Sequence, residues 1–549
     1  MRASLSTKKS VKTHLNGWLQ QRRPGRAPSP AHILAAAVAL LAAMSCCIYA
    51  IRAFHTHLLV QTVLETPIVE PSGVLKLDVQ QHAAAEMLLR QLVDECAKQQ
   101  QTVIHLDSQR RMVTSSSINP QHCPALDVVL PAPERALRSC TDAALYVIHV
   151  GGRLIPMPAD VQAYDGYCGP QTARLFLDSI HPQLISQQKR VLHMQLVKPS
   201  LISPQHGPLH AHMQAFLCET RQCTTLMQQH VVERGYWASV WNMGLGSSDA
   251  TVGTSGDVIA AVQASMSLGN PQGFALHVQS HKPEQTKAVL NCWAKHAELL
   301  PLVVVGGSAE VELTAAARAA ANIIYLPPGA TAAAAAEPGT GVSSVLHTSG
   351  ATAAPAASSR LQSLQAAAAL HVIPALDEGS LHDINEARAA GALIVTTDHP
   401  PMRELVTPEQ GILVPIVQAS LDSAFSSSSS DRSGSIAGLH GVRVPADGLC
   451  RAVQQALALP AAEAAAKRAA AAAHYKADQA AFVQRAAQLR AHLQAQSAAA
   501  AGTHAAAPAA EAAAASIAQA VGNAAAEAGG DAGSSTAQTA LGRRAGLVW

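Results

Sequence analysis

Aromatic residues are scarce in this chain, whose 549 residues include 6 Phe, 5 Trp and 7 Tyr. Alanine contributes much of the 48% hydrophobic fraction, so large cores have to be built mainly from Leu, Val and Ile. The length predicts two folded domains with additional segments. The formal net charge of +2 argues against a polyanionic partner, so we expect no nucleic-acid ligand.

Two short motifs are also missing. No Cys-x-x-Cys pair occurs, which argues against a zinc ribbon. No Asn-x-Ser/Thr sequon occurs, which neither supports nor excludes a secretory route. The 25 histidines are scattered. His206, His210 and His212 come nearest to a metal-ligand set, although a solvated loop is the favoured interpretation.

The N-terminal region combines a basic segment with an apolar one. Residues 1–31 contain seven Lys or Arg and no acid, which predicts a cytoplasmic basic tail. Residues 32–51 are apolar almost throughout and long enough to cross a bilayer. The charge bias predicts a signal anchor with the following chain in a lumen. A cleaved signal peptide and a nucleic-acid arm are the alternatives. Residues 52–82 are interpreted as a stem.

Residues 83–268 alternate apolar runs with helical patterns, which predicts a doubly wound α/β domain. Strands are expected within 102–106, 126–130, 143–150, 191–196 and 237–243, and helices over 82–99 and 210–223. Gly151 and Gly152 follow one of these expected strands. A simple turn is the favoured interpretation, and a phosphate-facing glycine pair is the alternative.

Eight cysteines lie beyond the expected anchor, and an even number permits disulfides in a lumen. Six of them fall in the first domain, so pairing within that domain is expected, although the sequence does not give the connectivity. The eight are Cys96, Cys123, Cys140, Cys168, Cys218, Cys223, Cys292 and Cys450.

Residues 376–398 have the clearest pattern in the chain. A loop with Glu378 precedes a short alanine-containing helix. Gly391 stands where a left-handed cap would end that helix, and a buried parallel strand is expected over 392–397. Glu378 and Glu386 are eight positions apart. Free N–H groups at such a helix start attract phosphate, and nearby carboxylates can bind sugar hydroxyls. The competing interpretation is an ordinary surface helix with an acidic face.

This combination resembles the nucleotide-sugar signature of GT-B glycosyltransferases, most closely the retaining glycosyltransferase group 1, or family 4. The similarity continues through 400–415 and covers roughly residues 275–495. It implies an α/β GT-B fold, with two doubly wound Rossmann-like domains facing a cleft and preceded here by one transmembrane helix. The nucleotide-sugar-binding domain would be 269–495.

The resemblance also implies roles for individual residues. Glu386, expected to be exposed on its helix, would bind the ribose, and Glu378 would bind the donor sugar. Backbone N–H groups near Gly379 and Ser380 would bind phosphate. His382 stands at the helix start and is a second candidate catalytic residue beside Glu378. The alternative for His382 is a surface residue that caps the helix.

Two positions depart from the family pattern. The Lys that grips the diphosphate in relatives is replaced by Glu284, so Lys282 or Lys287 would have to supply the positive charge, unless both are solvated residues of a helix start. Residues 217–223 resemble a segment at the end of the first domain, in which Glu219 stands where relatives have Lys. No Asp-x-Asp pair occurs, so no metal site for the diphosphate and no cofactor beyond the nucleotide sugar are expected.

Three segments are too biased in composition to form a core. Residues 327–359 and 419–436 are expected to be disordered insertions in the second domain, and 496–549 an alanine-rich tail. Helical closing segments are expected over 447–457 and 461–494.

Two classes of function remain open. The first is a membrane-anchored transferase of the Golgi or ER, single-pass and type II, that moves a sugar to a glycan or glycoprotein. The second is a catalytically silent protein that binds nucleotide sugar or glycan on the same scaffold.

Overall fold

The computed structural model describes residues 79–98, 102–115, 124–130, 137–156, 172–177, 180–185, 193–197, 207–252, 254–279, 283–306, 320–326, 357–376, 381–418 and 442–528. Within these ranges the chain forms two α/β domains, each built on a largely parallel sheet, which agrees with the α/β architecture that the resemblance implies. The described helices include none long and apolar enough to cross a membrane. The tail 1–31, the expected anchor 32–51 and the insertion 419–436 lie outside the described residues.

The first domain has an eight-stranded sheet in the order β2-β1-β4-β3-β5-β6-β7-β8. Strands β3 to β8 are parallel, and β1 pairs antiparallel with β2 and β4. Apolar residues on both faces of the sheet are buried. The strands are β1 Val103–Leu106, β2 Met112–Ser115, β3 Leu126–Val129, β4 Arg153–Ile155, β5 Ala173–Phe176, β6 His193–Val197, β7 Ala215–Cys218 and β8 Ser239–Asn242; the helices are α1 Val79–Lys98, α2 Leu137–His149, α3 Gly207–His210 and α4 Arg221–Arg234.

The second domain has a six-stranded parallel sheet in the order β11-β10-β9-β12-β13-β14. Strands β15 and β16 form a separate two-stranded antiparallel sheet. The strands are β9 Ala275–Val278, β10 Leu302–Val305, β11 Ile323–Leu326, β12 Leu370–Ile373, β13 Leu393–Thr397, β14 Ile412–Val414, β15 Val417–Gln418 and β16 Val442–Arg443; the helices are α5 Gly256–Met266, α6 Pro283–Lys295, α7 Ala357–Ala367, α8 Leu381–Ala389, α9 Met402–Leu405 and α10 Ala446–Leu457.

Helix α5 precedes residue 268, where the sequence pattern places the domain boundary, but its side chains pack on the second sheet. Val262 and Met266 are buried in one cluster with Phe274 and Leu276. The apolar contacts of α5 therefore belong to the second domain.

A long final helix, α11 Ala461–Ala528, returns from the second domain to the first. Phe482, Ala486 and Leu489 are spaced three to four residues apart and are buried in the core of the first domain. The helix axis continues through 497–528, a stretch that the composition assigns to the tail. Helix α11 thus joins the two domains along one side.

Two expected elements of the first domain are wrong. Residues 143–150 belong mainly to helix α2, which ends at His149, and Gly151 just beyond it has a positive φ. The expectation failed because a short apolar run does not by itself distinguish a buried strand from a buried helix. The expected helix over 210–223 contains strand β7 instead. Helix α4 begins only at Arg221, because the Thr220 side chain caps it by accepting the N–H of Cys223 at 3.1 Å.

Gly151 and Gly152 accordingly follow a helix, not a strand. At Gly152 a Cβ atom would lie 2.3 Å from the carbonyl oxygen of Leu126. The glycine therefore allows the chain to pass close to β3 as it enters β4, which supports the turn interpretation.

Three disulfides cross-link the described residues. Cys96–Cys140 joins α1 to α2, and Cys218–Cys223 joins the end of β7 to α4. Cys292–Cys450 joins α6 to α10 in the second domain. The expected pairing within the first domain is confirmed for two pairs, and disulfides are typical of proteins that fold in an oxidising compartment.

Candidate functional site

The second sheet has a topological switch point between β9 and β12. These strands are neighbours, with Ala275 opposite Leu370 and Leu276 opposite His371. From β9 the chain continues outward to β10 and β11, whereas β12 leads in the other direction to β13 and β14. In doubly wound sheets, ligands bind at the carboxyl ends of the strands where the order reverses.

The two segments that follow these strands contain most of the residues expected to bind the donor. Segment 280–282, with Lys282, connects β9 to α6, and segment 377–380 connects β12 to α8. Glu378, Gly379 and Ser380 belong to the second segment. Both segments lie outside the described residues, so the structure gives their place in the topology and not their side-chain contacts.

Helix α8 and its cap form as the sequence predicts. Gly391 has a φ of 63°. Its N–H donates to the carbonyl of Arg388 at 3.1 Å, and the N–H of Ala392 donates to that of Ala387 at 3.1 Å. This pair of bonds is a Schellman cap. The cap stops the helix and directs the chain into β13.

The Glu386 side chain is enclosed, so the expectation that it is exposed is wrong. The Ser248 hydroxyl donates to its Oε1 at 3.0 Å, and the Gln365 amide donates to its Oε2. Burial and then the nearby Asp383 carboxylate raise the pKa of Glu386. The carboxylate lines a narrow crevice with residues of α1, α2 and α7. It is therefore a partly buried acceptor with both oxygens engaged by other elements, and not part of a solvated acidic face.

Two ion pairs connect the start of α8 to α2. Arg138 and Asp142 are one turn apart on α2 and thus share a face. The Arg138 guanidinium donates to the Asp383 carboxylate. His382 Nε2 lies 2.7 Å from Asp142 Oδ1. The structure therefore directs His382, a candidate catalytic residue, at the first domain.

The charge state of His382 follows from this contact. Burial alone would lower its pKa, but the charge and hydrogen bond of Asp142 outweigh burial and raise the pKa to about 9. At neutral pH the imidazole is therefore protonated and attracts the carboxylate strongly. A histidine merely capping an exposed helix would not be buried to 6% exposure.

Glu219 completes a cluster beside this pair. It follows β7, and its carboxylate, the Asp142 carboxylate and a ring nitrogen of His382 lie within 4.8 Å of one another. The sequence resemblance described above predicts a lysine at this position, but here the charge is negative. The cluster contains residues from both domains.

Another inter-domain contact involves Glu404 of α9. Its carboxylate accepts the backbone N–H groups of Arg221 and Gln222 at 2.7 and 2.8 Å. These N–H groups begin α4 and have no partner within that helix. A carboxylate of the second domain thus caps a helix of the first.

Lys287 is the described member of the two lysines proposed for the diphosphate. Its ammonium lies 3.7 Å from Glu284 on the same helix, and both side chains are exposed. Glu284, which stands at the position expected for lysine, therefore lies beside Lys287, the residue suggested to supply the positive charge instead.

The sequence did not identify Arg138, Asp142, Ser248, Gln365 or Glu404 as site residues. The first two had a usable signal, because a spacing of four puts them on one helix face, but the neighbouring apolar run was interpreted as a strand. Ser248 and Gln365 lie 138 and 21 residues from their partner Glu386. Glu404 lies at least 182 residues from the amides that it caps. No local pattern relates them.

No protein-family model and no curated protein matches the sequence. Solved structures similar to parts of it include the pneumococcal O-GlcNAc transferase GtfA in complex with UDP and GlcNAc, with a TM-score of 0.39 and 12% identity over 61% of this chain and 58% of that one. A glycosyltransferase from Rickettsia africae has a TM-score of 0.45 and 10% sequence identity, and the match covers 67% of this chain and 98% of that one. Anabaena HepE in complex with UDP and glucose has a TM-score of 0.41 and 11% sequence identity, and the match covers 69% of this chain and 99% of that one. At scores and identities this low, function has to be inferred from the chain's own site.

Proposed function

We propose that this protein is a glycosyltransferase that moves a sugar from a nucleotide-sugar donor to a glycan or glycoprotein acceptor. The observation that carries the proposal is the position of the signature. Helix α8, with Glu386, starts after β12 at the switch point of a parallel sheet whose strand order is that of a dinucleotide-binding domain. A surface helix with an acidic face would have no reason to begin there with both oxygens of its second glutamate hydrogen-bonded to other elements.

The roles of the residues follow from the resemblance. Glu386 would accept hydrogen bonds from the ribose hydroxyls, and Glu378 would contact the donor sugar. Backbone N–H groups near Gly379 and Ser380, with Lys282 or Lys287, would balance the charge on the leaving phosphate. The reaction would be retaining and would need no metal ion on the diphosphate.

The observed contacts describe a closed state of the site. Both oxygens of Glu386 are engaged by Ser248 and Gln365, and the start of α8 is paired with α2. A ribose would have to displace the Ser248 and Gln365 contacts. Donor binding would therefore be coupled to a small separation of the domains.

The same contacts favour a second candidate, a silent protein that binds nucleotide sugar or glycan. Engagement of Glu386 by the protein itself, together with Glu284 in place of lysine, would suit a scaffold that has lost turnover. Hydrolysis of the donor without acceptor separates the two, because a silent protein would release no nucleotide.

The test of the donor site is Glu386→Gln, with Glu463→Gln as a control on the half-exposed glutamate of α11. A hydrogen bond to a charged group is worth about 1.5–3 kcal/mol, so donor affinity measured by calorimetry should fall on the order of ten- to a hundredfold. Glu378→Gln should reduce turnover more than binding. Unchanged donor affinity in Glu386→Gln, with the control also unchanged, would refute the assignment.

We also propose a type II membrane protein of the Golgi or ER with its catalytic domains in the lumen. The basic bias before 32–51 and the disulfides of both domains support this. Protease added to sealed microsomes should leave both domains intact. Their digestion would contradict the proposed topology.

A further inference from the structure

The cluster of Asp142, Glu219 and His382 brings three metal-ligating side chains from three elements together. Asp142 lies on α2, Glu219 follows β7, and His382 begins α8. Asp142 is 2% exposed and His382 6% exposed. Their ligating atoms are all within 4.8 Å of one another, in the contact between the two domains.

A second observation at this place points to a missing ligand. Tyr146 is one turn beyond Asp142 on the same face of α2, and its side chain is 2% exposed. Among the described residues its hydroxyl has no hydrogen-bond partner. Tyr146 and Asp142 share a face of α2, and apart from burial the charges acting on the hydroxyl are the carboxylates of Glu219 and Asp142, so the hydroxyl lies near the cluster.

A buried hydroxyl without a hydrogen-bond partner destabilises the folded protein. The described residues around Tyr146 are apolar on its other side, where its ring packs edge-on against Phe482 with centroids 6.1 Å apart. A water molecule bound to an ion within the cluster would give the hydroxyl a partner. An ordinary ion pair between His382 and Asp142 would not.

We propose that Asp142, Glu219 and His382 bind a divalent transition-metal ion, with Zn²⁺ as the expected ion. One imidazole nitrogen and two carboxylate oxygens form a donor set that zinc accepts, with a water as fourth ligand. Magnesium and calcium prefer oxygen ligands alone. Because His382 is protonated at neutral pH, its imidazole would release a proton to the solvent as the ion binds. Two carboxylates and the resulting neutral imidazole carry a charge of −2, which one such ion balances.

The distances require a modest adjustment. Ligand atoms around tetrahedral zinc lie roughly 3.3 Å from one another, given bonds of about 2.0–2.1 Å. The other separations in the cluster, at most 4.8 Å, would have to settle near this value, and the His382–Asp142 contact, now 2.7 Å, must lengthen by about 0.6 Å. Both are within the reach of side-chain rotation.

The ion would act on the arrangement of the domains. Two ligands belong to the first domain, and His382 belongs to the helix that carries the proposed donor site. An ion held by all three would fix the start of α8 against α2. This is a separate site from the one proposed for the donor, because the ligands are protein groups and not a diphosphate.

The test is zinc binding by the full chain after removal of metals with a chelator. Elemental analysis after titration with ZnCl₂ and gel filtration should find about one ion per chain, and the melting temperature should rise with ZnCl₂ but not with MgCl₂. Glu219→Gln should weaken zinc binding by more than about tenfold, since even loss of an outer partner of a ligand costs about 10–100-fold. Asp142→Asn should do the same.

His210→Gln is the matched control, because His210 also lies in a buried contact, 3.1 Å from His230, away from the cluster. It should retain the stoichiometry and affinity of the wild type. Failure of the wild type to retain zinc or to shift its melting temperature would overturn the proposal, as would full binding by Glu219→Gln. If Asp142→Asn does not fold, the partly exposed Glu219 variant decides the question. Donor affinity in the absence of zinc tests the proposed transferase independently.

Discussion

Two buried ion pairs of the same chemical type lie in different surroundings. Arg153 and Asp127 are register partners on β4 and β3, with Nε and Oδ1 2.7 Å apart. His382 and Asp142 are also 2.7 Å apart but join two domains. Burial dominates in the first pair and raises the pKa of Asp127 to about 6 despite Arg153. In the second, burial is again the largest single effect, but the charge and hydrogen bond of Asp142, with the charges of Glu219 and Glu386, together outweigh it and raise the pKa of His382 to about 9.

The comparison separates two uses of buried charge. The Arg153–Asp127 pair is fixed by strand register, so it can separate only if the sheet unfolds. The contacts of Asp142 and Arg138 with α8 can separate when the domains move apart. The first arrangement contributes to the specificity of strand pairing within a domain, whereas the second can respond to a ligand in the cleft.

Breaking the pair within the sheet should have the largest effect. Asp127→Ala removes the carboxylate that lies between the guanidiniums of Arg153 and Arg174, both of which are buried. Loss of one partner of a buried pair costs about 3–5 kcal/mol. Chemical denaturation of the first domain should show this loss.

The control replaces both charges with apolar residues, in Asp127→Leu combined with Arg153→Met. This double variant should be markedly more stable than Asp127→Ala. The reason is that the buried guanidinium of Arg153 is removed together with its carboxylate partner and is not left beside an apolar side chain. Equal losses in the two variants would show that shape rather than charge makes this pair important.

Buried histidines extend the comparison. Burial lowers the pKa of His371 to about 4, the opposite of His382, because its Nε2 faces the carbonyl of Gln365 at 3.0 Å and no carboxylate. The folded pKa is below the unfolded value of about 6.5. The unfolded chain therefore binds more protons than the folded chain between these values, and stability falls as pH decreases from 6.5 towards 4.

The variant His371→Gln should lack this contribution. Between pH 6.5 and 5 the wild type should lose about 1.6 kcal/mol more than the variant, since each pH unit between the two pKa values corresponds to at most about 1.4 kcal/mol and the unfolded histidine is already half protonated at pH 6.5. Groups present in both proteins, such as His149 and Glu86, cancel in the difference. Parallel stability curves for the two proteins would show that His371 is protonated as readily in the folded state as in the unfolded one.

The sequence predicted the elements whose signals are local. Gly391 marks a helix end because few other residues adopt a φ of 63° without strain, and the β-branched run that follows is buried on both faces of β13. These signals place α8 and β13 correctly. The switch point could be expected from the resemblance, since strand order follows from the fold.

The contacts across the cleft could not be predicted in the same way. Arg138 and Asp383 are 245 residues apart, and nothing in either local sequence indicates the other. The error over 143–150 had a physical origin, because Ala143 to Ile148 are all buried and a helix buried on most sides has no clear periodicity. The enclosure of Glu386 depends on Ser248 and Gln365, which belong to other elements. Chain topology brings these groups together, and local propensity does not encode it.

The cap that Glu404 provides for α4 gives the smallest expected effect and the sharpest local test of domain separation. Glu404→Gln keeps an oxygen that can accept one N–H group but removes the charge that interacts with the helix dipole, which is worth about 0.3–1 kcal/mol. If the domains separate while each stays folded, hydrogen exchange at the amides of Arg221 and Gln222 should become about two- to fivefold faster. Exchange in β7, inside the first sheet, should stay at the wild-type rate, and Glu409→Gln, on an exposed glutamate near Glu404, should change neither. Because these amides donate to a carboxylate of the other domain, their exchange reports the separation of the domains. Equal acceleration in β7 would show instead that the amides exchange through unfolding of the first domain, and that the two domains move as one body.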